Sequence, residues 1–431
     1  MAERIAIIDG VRTPFCKSTN PKVPGVLGEM QADDLGAHVV RELLAKTGFD
    51  ANLLDEVIFG NVIQPPQSTN LTRILAIKAG VPESIPSYTV NRNCASGMES
   101  VTTGMNKILA GYADVILAGG CESMSNVPIL FGKKMIDIFM GLGKAKSLSA
   151  KLDVISKFRP AFLTPVIPGL LDPLCSLQMG QTAELISKDF SISRLDQDEF
   201  AMMSQNRAEA ARENGLFDDE IVPIPVGPKY KIVQTQDDGI RNGTDLKGLQ
   251  KLRPCFDRLA GTVTPANCSQ ITDGAAALII MKESKAKSMG LTPIGYLTDY
   301  TYAGLAPDRM GLGPVYAISK ILERSGKKLS DFDLIELNEA FAAQVIGCER
   351  AMASKEYCQK HLGRAEAIGE IDRSILNVNG GAISLGHPVG ATGTRLIVHT
   401  LKELKRRGKQ HGLVSLCIGG GQGNALTLEV E

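Results

Sequence analysis

The chain has 431 residues, 44% hydrophobic and 22% charged, an ordinary balance for a soluble globular protein. At roughly one domain per 150 residues, its length allows two or three domains. Forty-seven basic residues against 47 acidic ones leave no net charge, which argues against nucleic acid as the main partner and leaves room for a local basic patch.

The N-terminus, Met1-Ala2-Glu3-Arg4, runs straight into apolar residues, so no presequence is expected, and a strand is predicted over 4–9. A helix is expected over 33–47, a strand over 56–59 and a short strand over Ser87-Tyr88-Thr89-Val90. Next comes Asn91-Arg92-Asn93-Cys94-Ala95-Ser96-Gly97-Met98-Glu99-Ser100, then Met98, Val101, Met105, Ile108 and Leu109 at helical spacing. Cys94 thus stands between a strand and a helix start. Unpaired N–H groups and the positive dipole end there lower a thiol pKa and favour a nucleophilic thiolate. On this segment alone, a small packed cysteine remains the alternative. A further strand at 114–118 ends in Gly119-Gly120.

The region from about 122 to 250 differs in character. Leu148, Leu152 and Ile155 keep helical spacing, while Pro160, Pro165, Pro168 and Pro173 break the stretch after them. Ser193 as N-cap, Asp196 in the first turn and Gly215 beyond the end delimit a clear helix. An insertion of this size serves as a lid or a partner surface. Beyond it, the first half's plan returns. Lys320–Gly326 leads to a strand at 333–337 and Asn338, as Glu42–Gly48 leads to a strand and Asn61. A strand at 375–378, a helix around 394–407 and a strand at 413–416 then end at Gly419-Gly420-Gly421, as the Cys94 unit ends at Gly119-Gly120. The offset matching indicates an internal duplication.

Nine cysteines, at 16, 94, 121, 175, 255, 268, 348, 358 and 417, include no CxxC and no zinc-type Cys/His spacing, so no metal site is expected. Their odd number and scatter fit reduced thiols and a cytoplasmic location. No apolar run reaches the ~18 residues that span a bilayer.

Four segments carry candidate chemistry: the Cys94 turn, Leu337-Asn338-Glu339-Ala340-Phe341, Gly380-Gly381-Ala382-Ile383-Ser384-Leu385-Gly386-His387-Pro388-Val389-Gly390-Ala391-Thr392-Gly393, and Leu416-Cys417-Ile418-Gly419-Gly420-Gly421-Gln422-Gly423. The second lies at a strand's C-terminal end, where open α/β sheets place ligands. The third sets a histidine among glycines that permit close backbone approach. The fourth offers a second thiol and backbone N–H donors.

In that order and spacing, these segments resemble the thiolase family, and the resemblance covers essentially the whole chain. It implies an α/β fold with a duplicated five-layered α/β/α/β/α core, an N-terminal half at 1–121 and 251–285, an inserted loop domain at 122–250 and a C-terminal half at 286–431. It also implies an acyltransferase that cleaves 3-ketoacyl-CoA with CoA, as co-substrate and not bound cofactor, in fatty-acid β-oxidation. By the same resemblance Cys94 is the nucleophile, His387 its activator and Cys417 the general acid/base. Asn338 holds a water that, with the His387 imidazole, forms one oxyanion site. The N–H groups of Cys94 and Gly419 form a second. Ser269 and Met179 match CoA-binding positions, with Gln178 where the family often has His. Arg241 falls where a family arginine meets the nucleotide, and is equally readable as a solvated loop residue.

Phe131–Met140, Lys144–Phe158 and Pro160–Pro173 look like the loop domain of trifunctional-complex β subunits, which implies a hydratase/dehydrogenase α subunit and membrane-surface contact as partners. A lid packed on its own core is the alternative. Asn338 and the third glycine of 419–421 instead look like ordinary degradative thiolases, which form homodimers or homotetramers. An acetoacetyl-CoA thiolase is the other enzymatic reading. A decarboxylating or Claisen-type condensing enzyme is disfavoured by Cys417, and a non-catalytic acyl-CoA binder by the intact Cys94/His387/Cys417 set.

Overall fold

The structure, a computed structural model, describes residues 3–20, 22–166, 171–227 and 230–431. Met1, Ala2 and Pro168 lie outside them. Strands β1 (Ile5–Arg12), β2 (Glu56–Gly60), β3 (Ser87–Val90), β4 (Val115–Glu122) and β5 (Thr272–Lys282) belong to the first half. Strands β6 (Gly295–Gly304), β7 (Leu334–Leu337), β8 (His411–Ile418) and β9 (Gln422–Glu429) belong to the second. The principal helices are α1 (Ala32–Thr47), α2 (Leu71–Ala79), α3 (Ser96–Leu109), α4 (Lys133–Lys144), α5 (Leu148–Ser156), α6 (Met179–Asp189), α7 (Arg194–Glu213), α8 (Gly313–Ser325), α9 (Ala342–Ala353) and α10 (Thr392–Arg407).

The first half has the strand order β3-β2-β4-β5-β1, with β2 parallel to β3 and β4 and the remaining pairs antiparallel. The second has β7-β8-β9-β6, with β7 and β8 parallel and the other pairs antiparallel. A parallel bridge between Ile335 and Leu376 sits where β3 sits in the first half. Matching order and direction bear out the duplication. The halves join where Ile5–Ile7 of β1 runs antiparallel to Gly295–Leu297 of β6.

The strand expected over 375–378 is reduced to that bridge. Asn377, at φ 44°, leaves the extended region, and its side-chain amide bonds the Leu337 N–H at 2.9 Å and C=O at 2.8 Å. Backbone bonds still join Ile335 to this segment, its N–H donating to the Ile375 carbonyl and its carbonyl accepting the Asn377 N–H, each at 2.9 Å; at Leu337 the Asn377 side chain takes over.

Alternate residues along each strand face different layers, as a pleated strand dictates. Val115, Leu117 and Cys121 pack with α1 and α2, while Ile116 and Ala118 pack with α3 and α10. In the second half, Leu413 and Ala425 pack with α8 and α9, and Val414, Leu416, Leu426 and Leu428 turn to the same central pair. Helix layers outside each sheet and one between them give five layers. The central α10 is buried from Thr392 to Leu404, its polar residues included. Arg395 meets Glu336 at 3.3 Å, and His399 meets Glu220 at 2.9 Å, which in turn meets Arg12 at 2.7 Å. Paired burial of this kind is what a charged residue in a core requires.

Within the insertion, α7 has the expected caps, with a reciprocal Ser193/Asp196 pair and Gly215 at φ 67°. Its Phe200 and Ala201 enter the second half's outer core. The stripe at Leu148, Leu152 and Ile155 is helical as expected but points outward, with exposures of 75%, 57% and 51%.

The central helices touch through glycine. A Cβ on Gly97 of α3 would lie 2.7 Å from the Gly390 oxygen, 2.8 Å from Thr394 Oγ1 and 3.0 Å from the Thr394 nitrogen. Alanine there would gain about 1 kcal/mol in helix propensity. Overpacking against backbone costs about 1–3 kcal/mol, so the clash wins. Gly97→Ala is expected to lower the melting temperature and the activity together; a melting temperature equal to wild type would refute the close packing of the two helices.

Candidate active site

Cys94 stands in a turn that is wired from within. Asn91 Oδ1 accepts the Asn93 N–H at 2.9 Å, the Arg92 N–H donates to Ser96 Oγ at 2.9 Å, and the Ser96 hydroxyl donates to the Asn93 carbonyl at 2.7 Å. Asn93 is held at φ 45°, left-handed for a non-glycine residue, and such strain persists only where surroundings impose it. Its amide reaches across to the Gly419 carbonyl at 2.8 Å.

Cys94 is half-buried, and its own N–H and that of Gly419 both address Sγ. The lowered pKa expected from the helix start is not found. Burial raises the thiol pKa and outweighs the two amides, and the Glu122 carboxylate adds to the rise. The resting group is a thiol and needs a base.

His387 supplies one. Its Nδ1 lies 2.7 Å from Thr392 Oγ1, whose hydroxyl also lies 3.0 Å from the Pro388 carbonyl. A carbonyl only accepts, so the hydroxyl donates to Pro388 and accepts the proton of Nδ1. That leaves Nε2 with its lone pair, and Nε2 finds no partner among the described residues. Burial, with the Arg395 cation, pushes the imidazole pKa down to about 4, so it is neutral near pH 7. The loop carrying it hangs on buried Glu122, which accepts the Gly390 and Val62 N–H groups on one oxygen, at 3.0 Å each, and the Ile63 N–H and Asn61 amide on the other, at 3.0 and 2.9 Å. Burial lifts this carboxyl's pKa to about 7 against those donors.

Cys417 is the penultimate residue of β8, and Gly419-Gly420-Gly421 turns the chain into β9 with φ 86° at Gly420 and 80° at Gly421. Burial raises the Cys417 thiol pKa well above its usual range, and the neighbouring Cys94 adds to this. Asn338 follows β7; its N–H donates to the Ser415 carbonyl at 2.9 Å. Both polar atoms of its side chain lack a partner among the described residues although the residue is 1% exposed. A buried amide so placed costs about 1–3 kcal/mol unless something polar meets it.

A cavity of about 290 Å³ joins these parts, its wall including Cys94, His387, Cys417, Met179, Ser269 and Gln178. Met179 is the first residue of α6 and stands against Gly419, its Sδ 3.5 Å from where a Cβ would be. Asn338 is not on the wall, although Ala340 and Phe341 are. Arg241 is not on it either; burial lifts the thiol of wall residue Cys268 to about 12, and the Arg241 charge opposes that rise from nearby. Asn93 and Thr392 lie inside the sequence motifs, but residue type and spacing assign them no work there, and Glu122 and Phe256 fall outside every motif. Phe256 meets Phe341 edge to face at 6.2 Å, closing one wall.

Two thiols and a neutral imidazole around one apolar cavity, on a duplicated α/β frame, define a cysteine-dependent acyltransferase. Residues 5–284 match the family "Thiolase, N-terminal domain" and residues 291–430 match "Thiolase, C-terminal domain". The chain belongs to the thiolase family. It is 42% identical to the 3-ketoacyl-CoA thiolase of Yersinia pestis over 432 residues, covering 100% of this chain and 97% of that one. It is 41% identical to that of Pectobacterium carotovorum over 429 residues, covering 99% and 97%. Among solved structures it is similar to human mitochondrial 3-ketoacyl-CoA thiolase in complex with CoA (TM-score 0.83, 34% identity, 100% and 98% covered). It is likewise similar to the Bacillus anthracis acetyl-CoA acetyltransferase (TM-score 0.83, 35% identity, 99% of each chain).

Thr392→Val removes the acceptor for Nδ1–H and frees the other tautomer, which turns an N–H toward the thiol. Its kcat is expected to fall by about tenfold or more. In the wild type the neutral imidazole is lost only as pH falls through about 4, so His387 contributes no acid limb near 6.5 to a pH–rate profile, and any limb near 7 belongs to Glu122 and persists in His387 variants. An inflection at 6.5 that vanishes in a His387 variant would contradict the assignment.

Proposed function

We propose that this thiolase is a 3-ketoacyl-CoA thiolase (acetyl-CoA C-acyltransferase) of fatty-acid β-oxidation, working through an acyl-Cys94 intermediate. The observation that carries the reading is the neutral, single-tautomer His387 beside a protonated Cys94, with the Cys94 and Gly419 amides aimed at Sγ. His387 Nε2 takes the thiol proton as Sγ attacks the 3-keto carbon. The two amides receive the oxyanion, and the loss of one such donor costs about 2.7–4 kcal/mol of barrier. As the carbonyl reforms, the C2–C3 bond breaks and its electron pair passes to C2. The enolate is met by protonated His387 and by a water on the Asn338 side chain, whose two unpartnered atoms suit that task. Cys417, kept protonated by burial, gives its proton to C2, and acetyl-CoA leaves. The Cys417 thiolate then deprotonates CoA, whose sulfur takes the acyl group from Cys94, and His387 returns the first proton. Met179, Ser269 and Arg241 would border the CoA, the first two from the cavity wall.

The similar fit to an acetyl-CoA acetyltransferase supports a second reading, an acetoacetyl-CoA thiolase. For assembly, we infer a homodimer or homotetramer: β3 is an edge strand with no further strand on its outer side, a natural pairing surface. The outward apolar residues of α4 and α5, among them Phe139, Met140 and Leu148, support a contact of the loop domain with a membrane surface or a hydratase/dehydrogenase α subunit. All nine cysteines are free thiols, which supports a cytoplasmic setting.

A rate series with 3-ketoacyl-CoAs of four to sixteen carbons, following loss of enolate absorbance, tests the function. Cleavage of long chains, abolished in Cys94→Ala, is expected. Activity confined to four carbons would move the assignment to the second reading, and CoA-dependent cleavage unchanged in Cys94→Ala would sink the mechanism.

A further inference from the structure

The Gly419–Gly420 peptide is held from both sides. Its carbonyl accepts from Asn93 Nδ2 at 2.8 Å, and its N–H donates to Asp172 Oδ2 at 3.0 Å. The preceding peptide, which shares the Gly419 Cα, carries the N–H that addresses Cys94. Gly420 and Gly421 have no side chain to hold this turn, so without its two bonds the Gly419–Gly420 peptide is free to rotate and to shift the Gly419 Cα, and with it the donor.

We propose that Asp172 and Asn93 form a clamp that fixes this peptide, and through it the Gly419 N–H on Cys94; both are positioning residues, and the inference rests on the acyl-transfer reading of the site.

Asp172 comes from the insertion and is itself held in place. It is 3% exposed; its other oxygen accepts the Leu174 N–H at 2.8 Å and the Cys175 N–H at 3.4 Å. Its own N–H donates to the Leu177 carbonyl at 2.9 Å, and its carbonyl accepts the Ser176 N–H at 2.8 Å. A bridge between Leu171 and Gln178 closes this short hairpin directly before Met179. One hairpin thus delivers Asp172 to the glycine turn and Met179 to the cavity wall. On the opposite side, Asn93 uses a strained backbone to aim its amide. A carboxylate acceptor gives the stronger, charge-assisted bond to the Gly420 N–H. The oxyanion arm is therefore completed only when the insertion is docked. A turn cap alone would need only Oδ1; Oδ2 reaches a different domain.

The test reads Cys94 directly. Alkylation by iodoacetamide is followed against pH and quantified at the Cys94 peptide by mass spectrometry, in Asp172→Ala, Asp172→Asn and Asn93→Gly, beside kcat, KM and the melting temperature. Glycine at 93 keeps the left-handed backbone and removes only the amide, which separates the hydrogen bond from the strain. Glu122, His387 and Cys417, the titratable groups around Cys94, stay in every variant. Asp172→Ala and Asn93→Gly are expected to move the alkylation midpoint upward, because one N–H no longer counters burial. They are also expected to lower kcat by about tenfold or more while KM changes by less than about twofold. Asp172→Asn, which retains an acceptor oxygen, should recover much of the loss. A folded Asn93→Gly with wild-type midpoint and kcat would overturn the clamp, as would losses that follow the melting temperature alone. Asn93→Gly decides the matter where Asp172→Ala does not fold. If the wild type cleaves no 3-ketoacyl-CoA, the functional reading fails, and the alkylation profiles still judge the clamp.

Discussion

The site depends on a close approach of backbone to backbone between the two halves. A Cβ on Gly120 of β4 would sit 1.9 Å from the Gly390 oxygen, and one on Gly97 of α3 would meet the same oxygen. Thr394 bonds the Gly97 carbonyl at 3.0 Å across this seam, and Glu122 holds the Gly390 N–H at 3.0 Å. Because α3 begins at the Cys94 turn and α10 at the His387 loop, bringing these helix starts together brings the thiol and the imidazole to one cavity. A protein interior is close-packed and does not relax by half an ångström at no cost. Side chains at the seam would separate base from nucleophile.

The electrostatics follow from the same burial. Two thiols and an imidazole withdrawn from water are each most stable uncharged, so the resting site holds no thiolate–imidazolium pair. Charge appears only as the reaction proceeds, where N–H groups of Cys94 and Gly419 already point. Donors fixed in advance need no reorganisation when the oxyanion forms, which is why orientation of a single peptide matters. The ion pairs along α10 keep a charged helix tolerable in the central layer while its first turn serves the site.

Much of this was legible along the chain. Strand β3 and helices α1, α7 and α10 fall within a residue or two of where periodicity and caps place them, since strong local signals and tertiary packing agree there. The four motif segments were legible because glycine, histidine and cysteine cluster where backbone must approach closely. The strand at 375–378 was not, because the chain leaves the extended region at Asn377, which keeps one backbone bond to Ile335 and holds Leu337 through its side-chain amide, contacts that no alternation pattern encodes. The outward stripe of α5 has the spacing of a core helix, and periodicity cannot say whether a partner face exists. Asp172 reads as a turn residue in a proline-broken stretch; only its contact with Gly420 distinguishes it.

By itself the amino-acid sequence determined the duplication, the layered α/β class and the identity of the reactive groups, because those rest on residue type and spacing. The tertiary structure decided their protonation and their geometry. Cys94 at a helix start was expected to ionise readily, yet desolvation, which depends on every layer packed around it, outweighs the local dipole and amides. The histidine tautomer, set by Thr392, and the orientation of the Gly419 N–H, set by contacts across the chain, likewise belong to the fold. Local sequence specifies which atoms are present, and packing specifies how much water and which partners each one has.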